Sequence, residues 1–114
     1  MPRILLVDDD DDVRTLLEHV LIAERYEVDP AATVGAARAL LERNYYNLLL
    51  TDMALPDGSG MQVAEEAQRR GTPVIILTAY AFRYATGDLA RFDVLLKPVR
   101  PAELIDAVNK VLKR

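Results

Sequence analysis

Ile4-Leu5-Leu6-Val7-Asp8-Asp9-Asp10-Asp11-Asp12 sets four consecutive apolar residues directly against five consecutive aspartates. An unbroken apolar run suits a strand buried on both faces, as in a parallel sheet covered by helices; a half-solvated strand would alternate. Comparable runs recur at Leu48-Leu49-Leu50, Val74-Ile75-Ile76-Leu77 and Val94-Leu95-Leu96. A fifth, weaker strand is expected around Glu27-Val28-Asp29-Pro30. Pro30 has no N–H for a ladder, which places this strand at a sheet edge.

Helical periodicity fills the gaps. Val13, Leu16, Leu17, Val20 and Leu21 form one apolar stripe, and Leu104, Ile105, Val108, Val111 and Leu112 another. Val34, Ala37, Leu40 and Leu41 form a third, with Thr33 as its N-cap. Met61, Ala64 and Ala67 begin a fourth, which Arg69-Arg70-Gly71 ends with cations and a residue tolerant of positive φ. A short helix is expected between Tyr84 and Ala90. Strand and helix thus alternate five times. Right-handed crossovers turn this into an α/β fold, a doubly wound five-stranded parallel sheet, in one domain over residues 1–114. Ligands of such sheets bind beyond the carboxyl ends of the strands.

Composition narrows the chemistry. The 114 residues are 51% hydrophobic and 28% charged, ordinary for a folded domain. Cysteine is absent, which excludes disulfides, thiolate nucleophiles and zinc–thiolate sites. The only histidine, His19, falls within the first helix, away from the strand ends, and reads as a surface residue. A net charge of −4 disfavours direct nucleic-acid binding. No run approaches the roughly 18 apolar residues of a membrane span. Residues 1–7 read as strand rather than signal peptide, so a cytoplasmic location and no membrane partner are expected.

Each strong strand ends in polar residues: Asp8–Asp12, then Thr51-Asp52, then Thr78-Ala79, then Lys97-Pro98. Helix capping accounts for about three of the five aspartates, at ~0.3–1 kcal/mol each. Asp8 and Asp9 abut the buried strand, where carboxylates ~4 Å from one another repel by about 4 kcal/mol at an effective dielectric of 20. A hard divalent cation would remove that penalty. The local sequence does not choose between capping and metal binding. Carboxylates, a hydroxyl and an ammonium at four strand ends together suit acyl-phosphate chemistry: a carboxylate attacks phosphorus and cations neutralise the phosphoryl oxygens.

Over essentially its whole length the chain resembles the CheY-like receiver domains of two-component response regulators. The likeness is carried by Ile4–Asp10, by Thr51-Asp52-Met53-Ala54-Leu55-Pro56-Asp57-Gly58-Ser59-Gly60, by Ile76-Leu77-Thr78-Ala79 and by Lys97-Pro98. It implies the strand order 2-1-3-4-5. It also implies that Asp52 accepts a phosphoryl group from a sensor histidine kinase or phosphotransfer protein, and that a downstream effector reads the result. Asp8, Asp9, Asp52 and the backbone carbonyl of Ala54 would hold Mg²⁺, with Mn²⁺ as an alternative. Thr78 would be the switching hydroxyl, Lys97 would pair with the phosphoryl oxygens, and the Lys97–Pro98 peptide would be cis. The domain would signal rather than turn over a substrate, apart from its own phosphoryl transfer and slow self-dephosphorylation.

Some positions depart from the family. Val94 stands where an aromatic switch residue is usual, three positions before Lys97. Thr78 and Lys97 are only nineteen positions apart, and Gly87 lies between them, so a short or irregular fourth helix is expected. Ala54 offers no group to orient water, and Tyr80 could shield the phosphoryl site. The alternative function is a constitutive protein-binding module that is never phosphorylated. An aspartyl phosphatase would carry its nucleophile after the first strand and add a cap domain, for which there is no room. Flavin binding fails because aspartates fill the loop where a phosphate would sit.

Overall fold

The apolar runs become the sheet. The computed structural model describes residues 1–79 and 92–114. In chain order these form β1 (Arg3–Val7), α1 (Asp11–Ala23), β2 (Glu27–Ala31), α2 (Val34–Arg43), β3 (Leu48–Asp52), β4 (Ala54–Leu55), β5 (Gly58–Ser59), α3 (Gly60–Arg69), β6 (Val74–Thr78), β7 (Asp93–Leu96) and α4 (Pro101–Leu112). Five strands make one parallel sheet in the order β2-β1-β3-β6-β7, which is 2-1-3-4-5 when the parallel strands alone are counted. β2, with its Pro30, is an edge strand, as the missing N–H requires.

Alternate strand residues feed two separate cores. Leu5, Val7, Leu49 and Ile76 pack with Val34, Ala37 and Leu41 of α2 and with Val63, Ala64 and Ala67 of α3. Ile4, Leu6, Leu48, Leu50, Ile75 and Leu77 pack with Leu17 and Leu21 of α1 and with Leu104 and Val108 of α4. Helices therefore cover both faces, and the central strands β3 and β6 are wholly buried, as is β1 beyond Arg3, which is why their apolar runs are continuous rather than alternating. Each such side chain contributes about 1.5–3 kcal/mol of burial.

Helix ends follow local chemistry. Asp10 caps α1 by accepting the Asp12 and Val13 N–H groups at 3.0 and 3.1 Å. Thr33 Oγ1 accepts the Ala36 N–H at 3.0 Å. At α3, Ser59 Oγ accepts the Met61 N–H while Gln62 Oε1 accepts the Ser59 N–H, a reciprocal cap. Gly71, at φ +80°, follows the end of α3. Arg100 makes no side-chain cap, and Pro101 opens α4 at its first turn.

Three expectations need correction. Leu16 does not belong to the buried stripe of α1; it is 53% exposed, whereas Leu17 and Leu21 are buried and Val13 and Val20 pack partly buried against the same core. In α3 the stripe is completed by Val63, fully buried, whereas Met61 is only partly so. The residues after Asp52, where no strand is expected, form the small antiparallel hairpin β4–β5. The helix expected between Tyr84 and Ala90, and with it the short or irregular fourth helix, lies outside the described residues. Among those described, no helix is long and apolar enough to cross a membrane.

Candidate functional site

Parallel strands deliver their carboxyl ends to one edge. Val7 stands opposite Thr51, Asp52 opposite Leu77 and Thr78 opposite Leu96. Asp8, Asp52, Thr78 and Lys97 are therefore neighbours by register, although up to 89 residues separate them in the chain.

Asp8 and Thr78 are almost fully buried, and Asp52 is 9% exposed. Buried carboxylates are stable only when paired and hydrogen-bonded. Both aspartates meet that condition. Asp8 Oδ1 accepts the Asp10 N–H at 2.9 Å, and Asp52 Oδ1 accepts the Met53 N–H at 2.8 Å. Lys97 Nζ donates to the remaining oxygens, 2.9 Å to Asp8 Oδ2 and 3.1 Å to Asp52 Oδ2. One ammonium thus bridges two carboxylates that would otherwise repel.

The electrostatics are balanced between opposing causes. Burial raises the Asp52 pKa above its ordinary value of 3.8, with Asp8 adding to the rise, while Lys97 and the Met53 N–H only partly oppose it. Burial alone would lower Lys97. Its hydrogen bond to Asp8 and the charges of Asp8 and Asp52 outweigh burial and leave the ammonium above its ordinary value.

Asp9 is exposed and faces the same space. One carboxylate oxygen from each of Asp8, Asp9 and Asp52 lies within 4.8 Å of the others. Hard oxygen donors at this spacing fit a small divalent cation such as Mg²⁺. A cleft of about 470 Å³ opens there, lined by Asp9, Asp52, Ala54, Thr78 and Lys97 among others. The Lys97–Pro98 peptide is cis. Every expected site residue among those described thus sits at this edge; Tyr80 lies outside the described residues. Val94 packs partly buried against the α2–α3 core, in register with Ile76. His19 is exposed on α1.

Three further residues, none of them given a role by the sequence alone, build the site. A Cβ on Gly60 would collide with the backbone carbonyl oxygen of Asp52, so α3 can start this close only with glycine. Asp57 accepts the Val34 and Gly35 N–H groups at 2.7 and 3.0 Å, capping α2 from the hairpin. Arg14 donates to the Asp8 carbonyl at 2.8 Å. Gly60 opens α3 eight residues after Asp52; the contacts made by Gly60, Asp57 and Arg14 leave no periodic signal in the sequence.

The chain matches known proteins over nearly its whole length. The family model described as "Response regulator receiver domain" matches residues 4–109. The response regulator protein PilR of Pseudomonas aeruginosa is 39% identical over 116 aligned residues, covering 97% of this chain and 26% of that protein. The transcriptional regulatory protein SrrA of Staphylococcus aureus is 35% identical, covering 98% of this chain and 48% of that protein. The chain therefore spans between a quarter and a half of the length of these relatives. Among solved structures, the response regulator TrrA of Thermotoga maritima in complex with Mg²⁺–BeF superposes with a TM-score of 0.88 at 32% identity, covering 97% of this chain and 99% of that one. The non-phosphorylated HemR receiver domain of Leptospira biflexa gives 0.87 at 31% identity, covering 100% of this chain and 96% of that one.

Proposed function

The chain belongs to the response regulator receiver domain family of two-component signalling, and from that premise we propose that Asp52 is its phosphoryl acceptor. The observation that carries this reading is the position of Lys97 Nζ, 3.1 Å from a nearly buried Asp52 carboxylate at the wall of an open cleft. Such a carboxylate is oriented, partly desolvated and accessible from one side, as a nucleophile must be.

In the reaction, an Asp52 oxygen forms a bond to phosphorus as the bond from phosphorus to the donor's leaving atom breaks, and the donor departs with that electron pair. Asp8, Asp9 and Asp52, with the backbone carbonyl of Ala54, would hold Mg²⁺. When bound, Mg²⁺ supplies neutralisation of charge on the phosphoryl oxygens. Lys97 shares that work, exchanging a carboxylate partner for a phosphoryl oxygen. The Thr78 hydroxyl, at the end of β6, donates a hydrogen bond to the new group. Adding about −1.5 to −2 charges at this edge biases the surrounding loops, and a binding face with them. The donor is a histidine kinase or phosphotransfer protein, and the reader an effector.

Incubation with Mg²⁺ and acetyl phosphate, read by intact mass, is expected to add one phosphoryl group to the wild type and none to Asp52→Asn. Equal labelling of both proteins would remove Asp52 from this role. A folded wild type that stays unlabelled would favour a constitutive binding module.

A further inference from the structure

Of the three clustered carboxylates, Asp8 and Asp52 are anchored by backbone amides and by Lys97. The Asp9 carboxylate takes no hydrogen bond from any described residue, so the backbone on either side sets where it stands. That backbone is held through Asp8. The Asp8 N–H donates to the Ala31 carbonyl at 3.0 Å. The Asp8 carbonyl, part of the peptide that joins Asp8 to Asp9, accepts Nη1 of Arg14 at 2.8 Å.

Arg14 reaches this carbonyl from the first turn of α1. Its own N–H makes a helical bond to Asp10 O at 2.9 Å. Its Nη2 is fixed by Asp11 Oδ1 at 2.6 Å, and its side chain is only 19% exposed. Two nitrogens of one rigid guanidinium therefore clamp two separate acceptors, which an ammonium on a flexible stem cannot reproduce.

We propose that Arg14 is a positioning residue for the divalent-cation site: by holding the Asp8–Asp9 peptide it places the Asp9 carboxylate. This rests on the reading of Asp8, Asp9 and Asp52 as that site. Charge alone argues for the opposite sign. A guanidinium beside five aspartates weakens the local negative potential, so its removal would tighten cation binding if potential were all that mattered. Positioning requires that removal loosens it.

The sign is measurable without phosphoryl transfer. Mg²⁺ is titrated calorimetrically into wild type, Arg14→Gln, Arg14→Lys and Asp9→Asn, with the Asp9 and Asp10 amide resonances followed by NMR and the fold checked by thermal unfolding. Arg14→Gln is expected to bind Mg²⁺ about tenfold more weakly, the scale of losing a group that orients a metal ligand. Arg14→Lys keeps the charge and loses the fork, so it too binds more weakly than wild type. Both variants should show displaced Asp9 amide resonances before any Mg²⁺ is added. Arg14→Gln binding as tightly as wild type, or more tightly, while Asp9→Asn is impaired overturns the proposal and leaves the cation site standing. If Arg14→Gln does not fold, wild-type affinity in Arg14→Lys overturns it equally. Wild-type affinity in Asp9→Asn removes the cation-site reading itself, and this inference with it.

Discussion

Gly60 is where the acceptor strand and the following helix touch. Its N–H donates to the Met53 carbonyl at 2.8 Å, and a Cβ would run into the carbonyl oxygen of Asp52. The obstacle is backbone rather than the end of a mobile side chain, so it cannot swing away. Gly60→Ala is expected to lower stability by about 2–3 kcal/mol, as overpacking at a rigid contact does, and to slow labelling at Asp52 as the strand end shifts. Chemical denaturation and the acetyl phosphate assay check the two effects. Lys97 shows a different economy of position. It serves Asp8 and Asp52 at once, so losing the ammonium would strand two buried carboxylates rather than one.

The β4–β5 hairpin works as an element. It begins two residues after the acceptor, ends in the Ser59 cap of α3, and through Asp57 caps α2 as well. Two helices on one face of the sheet are thereby tied to the loop beside the site. The Val34 and Gly35 amides stabilise the ionised carboxyl of Asp57 and hold its pKa below the ordinary 3.8. The folded chain therefore releases this proton at lower pH than the unfolded chain does. The resulting stability is fully present above about pH 4 and is lost as pH falls through the folded value. Asp57→Ala should be less stable than wild type at pH 7, with the difference shrinking towards pH 3. Denaturant midpoints across that range test it; a difference independent of pH would contradict it.

At the scale of the molecule, the sheet separates two cores that share only its backbone. Leu50 is fully buried on the α1–α4 face and adjoins the strand end that carries Asp52. Leu50→Ala should cost about 2–5 kcal/mol in equilibrium unfolding, the range for a cavity in a packed interior. A cost under 1 kcal/mol would mean that the site can collapse and that this core is looser than its burial implies.

The amino-acid sequence by itself determined the alternation of strands and helices among the described residues, the edge position of β2, the aspartate cap of α1 and the Thr33 cap of α2. Those features come from periodicity, a missing N–H and side chains bonding to their own neighbours, all of which act over a few residues. It also placed Asp8, Asp9, Asp52, Thr78 and Lys97 at strand ends, because an apolar run that stops marks the edge of the sheet. Only the tertiary structure decided how these residues meet. The bridge of Lys97 between two aspartates, the turning of Leu16 to solvent, the capping of α2 by Asp57 and the clamp of Arg14 on the Asp8 carbonyl depend on how helices rotate and loops cross. Those outcomes follow from packing between distant segments, which leaves no periodic trace in either partner.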